Sequence, residues 1–426
     1  MKRSGARRWG KALLWFYAAG VAAFYAVVAW RTRGGGQRPV MAAPERASAG
    51  AANGRSAAGD WPKVSIIVPA RNEERNIREC VASLLAQDYP DFTLIVVDDA
   101  SEDATADILL EMQHTHPNGA RLEVVRVERL PEGWAGKPHA LHTGAVMADG
   151  EWLLFTDADT RHEPCALRLA VARALADGDD LLSLGAMQEL PDFWGRVLMP
   201  LAYMGIAMQY PPRKVNDPKS PVAIANGQYI LLRRAMYRQI GGYAHPALRA
   251  TVLDDRDLAA AVKHAGGRLE LVDGRSLVRT RMYHGLREHW EGWSKNAYAG
   301  SRGGGLFYLL MIAGLPLTCV VPFVLPLVGL LARRPRVTLA GSVAAGAAVA
   351  YRAQLNRELG VPLRYVWTHP LGALVFTGIL ARSFWRVRSG RGVRWRGRIY
   401  QTASRRAGVE PEHVTTPMPH ASTDTR

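Results

Sequence analysis

Cysteine is scarce in this sequence. Only three residues of 426 are cysteine, at Cys80, Cys165 and Cys319. They are far apart and show none of the short spacings that are typical of metal-binding cysteines. The sequence therefore indicates neither a disulfide framework nor a zinc site, and it fits a reducing compartment for the central part of the chain.

Two glycine-rich loops that bind nucleotides in other proteins are also missing. The first predicted strand, residues 64–69, is not followed by Gly-x-Gly-x-x-Gly, which argues against a dinucleotide-dependent oxidoreductase. No Gly-Lys-Ser/Thr sequence is present either, which argues against a P-loop nucleoside triphosphatase. A phosphorylated ligand would have to be held by other groups.

Acidic residues are fewer than basic residues, 38 against 54, and the formal net charge is +16. The surplus lies beside long uncharged runs at both ends of the chain, where basic residues usually contact anionic lipid headgroups. No nucleic-acid recognition fold or aromatic platform accompanies this charge, so we expect no nucleic-acid partner. The flanking basic residues are Lys2, Arg3, Arg7, Arg8 and Lys11, and then Arg386, Arg388, Arg391, Arg394, Arg396 and Arg398.

The uncharged run at 12–30 is long enough to cross a membrane as a helix. A cleaved signal peptide is the alternative, but no small-residue cleavage site closes the run. Further runs at 303–332, 337–351 and 365–381 predict a multi-pass protein. Three C-terminal spans would put the Arg-rich tail opposite the central domain, so the first could be re-entrant, the short second could fail to cross, or the charge rule could be overridden.

The sequence divides into five regions on this basis. Residues 1–31 form a basic segment and transmembrane anchor, 32–60 a flexible linker, and 61–300 a globular domain; 301–385 form a C-terminal transmembrane region, and 386–426 a basic, disordered tail. One further apolar segment, 193–209, is predicted either to lie on the bilayer, where it could admit a lipid acceptor, or to be a buried core helix.

The globular region alternates short β-branched runs with helical patterns. Strands are predicted at 64–69, 93–97, 122–127 and 152–155, and farther along the chain at 226–232, on the acceptor side. Helices are predicted at 77–85, from 104 onward and at 138–147. This alternation predicts an α/β fold with a Rossmann-like, mostly parallel sheet flanked by helices. Ligands bind such sheets where the carboxyl ends of the strands open.

Polar clusters follow three of these strands and should meet at one edge of the sheet. The clusters are Asn72/Glu73, Asp98/Asp99 and Asp157/Asp159. Strand alternation would point Asp157 and Asp159 the same way, so that both could bind one divalent cation. Because a carboxylate can hold an anionic diphosphate only through a cation, this edge is predicted to bind a diphosphate through a divalent metal ion.

Four motifs in this order resemble family 2 glycosyltransferases of the GT-A fold. A further similarity, in residues 130–137, Phe193-Trp194 and 216–218, points to the membrane-bound branch associated with hopanoid and carotenoid (terpenoid) glycosylation. The four motifs are Val-Ser-Ile-Ile-Val-Pro-Ala-Arg-Asn-Glu-Glu at 64–74, Val-Asp-Asp-Ala-Ser at 97–101, Gly-Lys-Pro-His-Ala-Leu at 136–141 and Thr-Asp-Ala-Asp at 156–159.

The resemblance implies inverting transfer of a sugar from a nucleotide-sugar donor, with a UDP-sugar favoured, to a hydroxyl of a lipid-like acceptor. It also implies a cell (inner) membrane protein whose catalytic domain faces the cytoplasm, where nucleotide sugars are found. Donor contacts are implied for Asn72, Glu73, Asp99, Lys137 and Asp157, and contacts with Mg²⁺ or Mn²⁺ for Asp157 and Asp159. Without the resemblance, Glu73 could equally favour a helix start and Lys137 could be a solvated charge.

Asp255 is implied as the catalytic base. Family members carry the base on the second residue of an acidic pair that precedes a polar residue, Asp and Leu; this chain has Asp254 where Glu is usual. Inverting transfer needs such a group, because one carboxylate must take the proton of the attacking hydroxyl. Without the resemblance, Asp254, Asp255 and Asp257 would be an acidic helix start.

Residues 281–296 stand where processive relatives carry Gln-x-x-Arg-Trp, and that motif is absent. Its absence argues against the first alternative function, a processive polysaccharide synthase. The second alternative is a non-catalytic, nucleotide-binding membrane scaffold, which an intact set of Asp99, Asp159 and Asp255 disfavours. An interfacial aromatic belt is the alternative role for the tryptophans of this segment. Candidates for acceptor or gating contacts are Asp254, Gln228, Trp290, Trp293 and Lys295.

Overall fold

The computed structural model describes residues 2–33, 61–298, 300–301, 304–389, 393–395 and 398–400. The predicted linker lies outside these residues except for its first two positions, and so does most of the predicted disordered tail, including everything after residue 400.

The helices are α1 (Lys2–Arg33), α2 (Ile77–Leu85), α3 (Thr105–Thr115), α4 (Gly136–Met147), α5 (Ala166–Asp177), α6 (Phe193–Gln209), α7 (Pro212–Asn216), α8 (Arg234–Gln239), α9 (Pro246–Arg249), α10 (Asp254–His264), α11 (Gly285–Asn296), α12 (Gly304–Cys319), α13 (Val321–Leu331), α14 (Pro335–Glu358) and α15 (His369–Arg388). The strands are β1 (Val64–Ala70), β2 (Phe92–Asp99), β3 (Leu122–Val127), β4 (Trp152–Phe155), β5 (Thr160–His162), β6 (Leu181–Gly185), β7 (Met187–Gln188), β8 (Ile230–Arg233), β9 (Leu269–Asp273), β10 (Val278–Thr280), β11 (Val393–Trp395) and β12 (Arg398–Tyr400).

Seven strands form the central sheet in the order β3-β2-β1-β4-β8-β6-β9. β1 is parallel to β2 and to β4, and only β8 runs antiparallel to its neighbours. The predicted α/β class, with a mostly parallel sheet flanked by helices, is confirmed. Since β2, β1 and β4 are adjacent and parallel, their carboxyl ends share one edge.

Helices cover both faces of this sheet because its central strands are apolar on both sides. Ile66 and Val68 of β1 pack with α2 and α5 on one face. Ile67 packs with α4 on the other. A Cβ at Gly144 of α4 would lie 2.5 Å from Ile67 Cγ2, so glycine permits this helix to cross the sheet closely.

Two local predictions differ from the structure. Asp157 and Asp159 do not continue strand alternation, because β4 ends at Phe155 and the chain turns before β5. The predicted strand at 226–232 is shorter than expected: residues 226–229 form an irregular segment and turn, and β8 begins at Ile230. In both places polar residues leave the strand to form part of a loop at the edge of the sheet.

The apolar segment 193–209 is a core helix, which settles its two predicted alternatives. Residues Val197–Ala202 of α6 are buried, and α6 contacts α1, α11, α14 and α15. α1 packs there through Ala18, Val21, Tyr25 and Val28, which recur on one helical face. These helices thus form a core of their own, separate from the two clusters that flank the central sheet.

Fewer helices than expected have the length and apolarity of a membrane span. Among the described residues, Ala12–Thr32 of α1 qualifies alone, and α12 with α13 qualifies as a pair bent by 43°. α14 and α15, which cover the other two predicted spans, do not qualify among those residues. Pro322, in the first turn of α13, has no N–H to continue the bonding of α12, which accounts for the break between the two helices.

Candidate active site

The loops after β1 and β2 lock together at the carboxyl edge of the sheet. Asn72 and Ala100 both have φ of 53°, an uncommon conformation for residues other than glycine. The Ser101 hydroxyl accepts a hydrogen bond from Asn72 N at 3.0 Å, and Asn72 Oδ1 accepts one from Glu102 N at 2.8 Å. These reciprocal bonds hold both loops in a fixed relation.

Arg71 braces the same pair of loops, and its role was not foreseen from the sequence. Its Nη1 donates to the carbonyl oxygens of Asp99, at 2.5 Å, and of Ala100, at 2.9 Å. The Asp99 side chain is only 4% exposed. The one sequence signal for Arg71 is its place between a buried strand and the polar pair Asn72/Glu73.

Glu73 lies at the same edge and also supports the start of α2. Its Oε2 accepts a hydrogen bond from Asn76 Nδ2 at 3.1 Å, and its backbone N–H donates to Thr105 Oγ1 at 2.8 Å. The bond to Asn76, the residue before α2, therefore supports the interpretation that Glu73 stabilises the start of this helix. A donor contact by Glu73 remains a prediction.

Asp157 and Asp159 are placed by a buried hydrogen-bond network beneath their turn. The Thr160 hydroxyl donates to the carbonyl of Asp157 at 2.7 Å, and the Thr156 hydroxyl donates to the carbonyl of Gln228 at 2.8 Å. Both Asp side chains are half-buried. The network ties the turn after β4 to the loop that precedes β8.

Lys137 joins this turn to the acidic start of α10. Its Nζ lies 2.7 Å from Asp157 Oδ1 and 3.0 Å from Asp254 Oδ2. The three residues are far apart in sequence and come from α4, the turn after β4 and α10. The structure therefore brings Lys137 and Asp157 together with the acidic pair; a cleft shared with Asp99 and Asp159 remains a prediction.

Gly227 lets Asp255 approach the same cluster. Asp255 Oδ2 accepts a hydrogen bond from Gly227 N at 3.4 Å, and its Oδ1 accepts one from Arg256 N at 2.7 Å. A Cβ at Gly227 would lie 3.1 Å from Lys137 Nζ, tighter than most side-chain contacts. Gly227 was missed from the sequence, although a glycine just before a strand marks a place of close approach.

Burial and charge shift the protonation of this cluster. Burial, together with the charge of Asp254, raises the pKa of Asp255 to about 6, although Lys137 opposes the shift. Burial alone would lower the pKa of Lys137, but the carboxylates of Asp157, Asp254 and Asp255 raise it well above the usual value. Lys137 is thus a permanent cation, and Asp255 is the carboxylate that can exchange a proton near neutral pH.

A family comparison identifies the domain that carries this cleft. Residues 65–241 match the family described as Glycosyl transferase family 2. The chain contains a family 2 glycosyltransferase domain. It is therefore a glycosyltransferase, and the matched residues include every predicted donor and metal contact, whereas Asp254 and Asp255 lie beyond them.

The chain is similar to two curated glycosyltransferases and to one solved structure. The chain is 25% identical over 265 residues, 61% of its length, to 4,4'-diaponeurosporenoate glycosyltransferase of Staphylococcus haemolyticus, of which 68% is covered. It is 39% identical over 100 residues to poly(ribitol-phosphate) beta-glucosyltransferase of Bacillus spizizenii, but that match spans only 23% of this chain and 15% of the relative. A solved mannosyltransferase from Pyrobaculum calidifontis, in complex with GDP-Man and Mn²⁺, aligns at a TM-score of 0.49 with 20% identity, over 88% of this chain and 98% of its own.

Two predicted acceptor or gating residues of the glycosyltransferase, Trp290 and Trp293, pack against α15, and a third, Gln228, is hydrogen-bonded in the loop before β8. Trp290 contacts α15, where a Cβ at Gly378 would lie 2.6 Å from its ring. Trp293 lies 6.0 Å from Phe376, ring centre to ring centre. Gln228 is buried, and its Oε1 accepts from Gln188 and Asn226 at 3.1 and 3.0 Å. A contact between any of them and the acceptor remains a prediction.

Lys295 of α11, the last predicted gating residue, interacts electrostatically with Lys137 and with the carboxylates around it. Burial, together with repulsion by Lys137, lowers the pKa of Lys295 to about 8, although the carboxylates of Asp254, Asp157 and Asp255 oppose the shift. α11 therefore presents a cation to the cleft on one side and tryptophans to α15 on the other.

Proposed function

We propose that this glycosyltransferase is membrane-bound and inverting, and moves a sugar from a nucleotide-sugar donor to a hydroxyl of a lipid-like acceptor with the help of a divalent metal. The observation that supports it most is the position of Asp255, which shares a cleft with Asp157 and has its pKa raised to about 6. A carboxylate of that pKa, next to a diphosphate site, suits a general base.

Asp255 has the role of proton acceptor in this reaction. The acceptor hydroxyl attacks the anomeric carbon from the face opposite the nucleotide, and Asp255 takes the hydroxyl proton as the new glycosidic bond forms. The bond from the sugar to the nucleotide diphosphate breaks at the same time, and the electron pair stays on the diphosphate. Attack from the opposite face inverts the anomeric configuration.

The residues at the turn after β4 fit a divalent cation. Two half-buried carboxylates lie one residue apart at the edge of the sheet, and hard carboxylate oxygens are the ligands that Mg²⁺ and Mn²⁺ prefer. Asp159 and Asp157 would hold the metal. When bound, the metal offsets the negative charge that develops on the leaving diphosphate.

Donor recognition is assigned to the interlocked loops after β1 and β2. Asn72, Glu73 and Asp99 would contact the nucleoside of the donor. The favoured donor is a UDP-sugar. Lys137 would face the diphosphate. The rigid bonding of these loops by Arg71 and Ser101 supports this assignment, because a preformed site loses less entropy on binding.

A lipid-like acceptor is supported by two independent features. One relative named above acts on diaponeurosporenoate, a carotenoid-type compound, as its name states. The outward faces of the C-terminal helices are apolar: in α15, for example, Leu371, Leu374 and Trp385 are exposed. We therefore place α1 and the C-terminal helices in the cell (inner) membrane as a multi-pass unit, with the catalytic domain facing the cytoplasm, and assign a terpenoid, carotenoid or hopanoid acceptor.

Asp255→Asn tests this proposal most directly. Membranes carrying wild type or variant are incubated with a panel of labelled nucleotide sugars, and the lipid fraction is extracted. We expect wild type to label a lipid, and Asp255→Asn to lose turnover by about two orders of magnitude or more while nucleotide binding changes little.

Asp107→Asn, an exposed carboxylate on α3, is the matched control and should leave labelling unchanged. Equal loss of nucleotide affinity and turnover in Asp255→Asn would remove Asp255 from the base role. Label found only in polymer would favour a processive synthase, and nucleotide binding without any transfer would favour a scaffold.

A further inference from the structure

The ammonium of Lys137 takes up a position like that of a bound cation. It lies between carboxylate oxygens of Asp157 and Asp254, at 2.7 and 3.0 Å. An ammonium can only donate hydrogen bonds, so its surroundings must be acceptors, as the surroundings of a metal ion are. One of these acceptors, Asp157, is also a ligand assigned to the metal in the proposed function.

Two cations cannot both bind Asp157 without repelling each other. At separations of a few ångströms this repulsion is large in a partly buried site, where the effective dielectric constant is well below that of water. Lys137 therefore lowers the affinity of Asp157 for a metal for as long as their ion pair persists.

The ammonium of Lys137 can leave its ion pair with Asp157. The side chain of Lys137 is 36% exposed, so part of it is accessible to solvent and to a ligand. Gly227 presents no side chain toward it, and a Cβ there would come within 3.1 Å of Nζ. An anionic diphosphate at the edge of the sheet would offer the ammonium a replacement for the oxygen of Asp157.

We infer that Lys137 is a resident counter-ion of the metal site, which exchanges Asp157 for the donor diphosphate when metal and donor bind together. The inference rests on the proposed function, since it uses the metal and diphosphate sites assigned there. Its consequence is thermodynamic coupling: metal alone must compete with Lys137, whereas diphosphate removes the competitor, so each ligand strengthens the other.

Titration of the full-length protein in detergent with Mn²⁺ alone, followed by electron paramagnetic resonance, tests the inference without any turnover. Lys137→Met should bind Mn²⁺ about tenfold or more tightly than wild type, because the competing charge is gone. Lys137→Arg keeps the charge and should stay close to wild type. Lys63→Met, which breaks an ion pair with Asp149 ahead of β1, is the matched control and should change nothing.

A second titration in the presence of UDP measures the coupling. UDP should strengthen Mn²⁺ binding in wild type by a larger factor than in Lys137→Met, and thermal melting of each variant verifies that it is folded. Equal Mn²⁺ affinity of folded wild type and Lys137→Met would overturn the inference and leave the proposed function intact. Absence of Mn²⁺ binding in every variant, with or without UDP, would overturn both this inference and the proposed metal site.

Discussion

At the scale of single residues, the chemistry depends on how Asp255 is held. Two backbone N–H groups, of Gly227 and Arg256, bond its two oxygens and fix the carboxylate in the cleft. These bonds favour the charged form, but burial and the neighbouring Asp254 favour the neutral form and prevail. The carboxylate of Asp255 is therefore held in one orientation by hydrogen bonds, and its pKa is nevertheless raised to about 6.

The pKa of Asp255 predicts a pH limit for activity. A base must be deprotonated to act, and a raised pKa means that protonation occurs at higher pH than for an ordinary aspartate. We therefore expect kcat/KM to fall as pH drops through about 6, approaching tenfold per pH unit below it. Measuring kcat/KM with labelled donor between about pH 5 and about pH 8 locates this limit.

Variants of the neighbours should move that limit in opposite directions. Asp254→Asn removes a negative charge that raises the pKa of Asp255, so the limit should shift to lower pH. Lys137→Met removes a positive charge that lowers it, so the limit should shift to higher pH. If neither variant moves the limit, a group other than Asp255 sets it.

The sequence predicts which residues form this cleft better than how they contact each other. The positions after β1, β2 and β4 follow from strand ends, and Asp255 follows from the family motif. The ion pairs of Lys137 do not, since they depend on where α4 and α10 lie across the sheet. Gly227 also escapes a sequence pattern, because its importance is the 3.1 Å approach to Lys137.

At the scale of elements, α6 lacks one backbone hydrogen bond, and a side chain of α14 bonds the carbonyl that is left over. Pro200 lies inside α6 and has no N–H to bond the carbonyl of Arg196, four residues earlier. Arg352 of α14 donates to that carbonyl at 2.8 Å through Nη2 and to Asn356 Oδ1 at 2.7 Å. Its side chain is fully buried, so this bonding joins α6 to α14.

Arg352→Met should destabilise the helical unit by about 1–3 kcal/mol, because it leaves the carbonyl of Arg196 buried without its donor. In a Pro200→Ala background the restored N–H can bond that carbonyl, so the same Arg352 substitution should cost about 1 kcal/mol less. Chemical denaturation in detergent of wild type, both single variants and the double variant measures this coupling. Strictly additive effects would mean that Arg352 does not stabilise the protein through the carbonyl that Pro200 leaves unbonded.

Elements with strong periodicity match the sequence predictions, and short polar segments do not. Helix 77–85 and strand 122–127 have the predicted bounds, because apolar spacing alone determines them. The turn of Asp157 and Asp159 departs from the predicted alternation, since hydrogen bonds of Thr156 and Thr160 end the strand. The two interpretations of α6 could be separated only by its neighbours, α14 and α15.

At the scale of the whole molecule, two kinds of exposed surface can be distinguished. Leu327 of α13 and Val146 of α4 are similarly exposed, at 62% and 70%. Leu327 belongs to a helix pair whose outward face is apolar throughout, with Leu331 at 85%, whereas Val146 is on the catalytic domain. Contiguous apolar surface of this extent is typical of contact with lipid. The sequence predicted these apolar runs, and the structure adds the bend between α12 and α13.

Single cysteines at these two positions test the membrane arrangement. In a Cys165→Ser background, which keeps only the two buried native cysteines, Val146→Cys should react quickly with a membrane-impermeant maleimide in inside-out vesicles. Leu327→Cys should react only after detergent is added, because lipid shields it. In right-side-out vesicles Val146→Cys should also stay unlabelled, since the catalytic domain faces the cytoplasm.

Leu327 and Val146 are both exposed on the surface of the protein, so protection from the maleimide cannot come from burial in the protein. A difference in labelling between the two cysteines therefore reports burial in lipid. Equal labelling of Leu327→Cys and Val146→Cys in intact inside-out vesicles would place α13 in water and refute its membrane assignment. Labelling of Val146→Cys in right-side-out vesicles would instead refute the cytoplasmic orientation. That second result would also count against nucleotide-sugar donors, because the cleft would then face away from their supply.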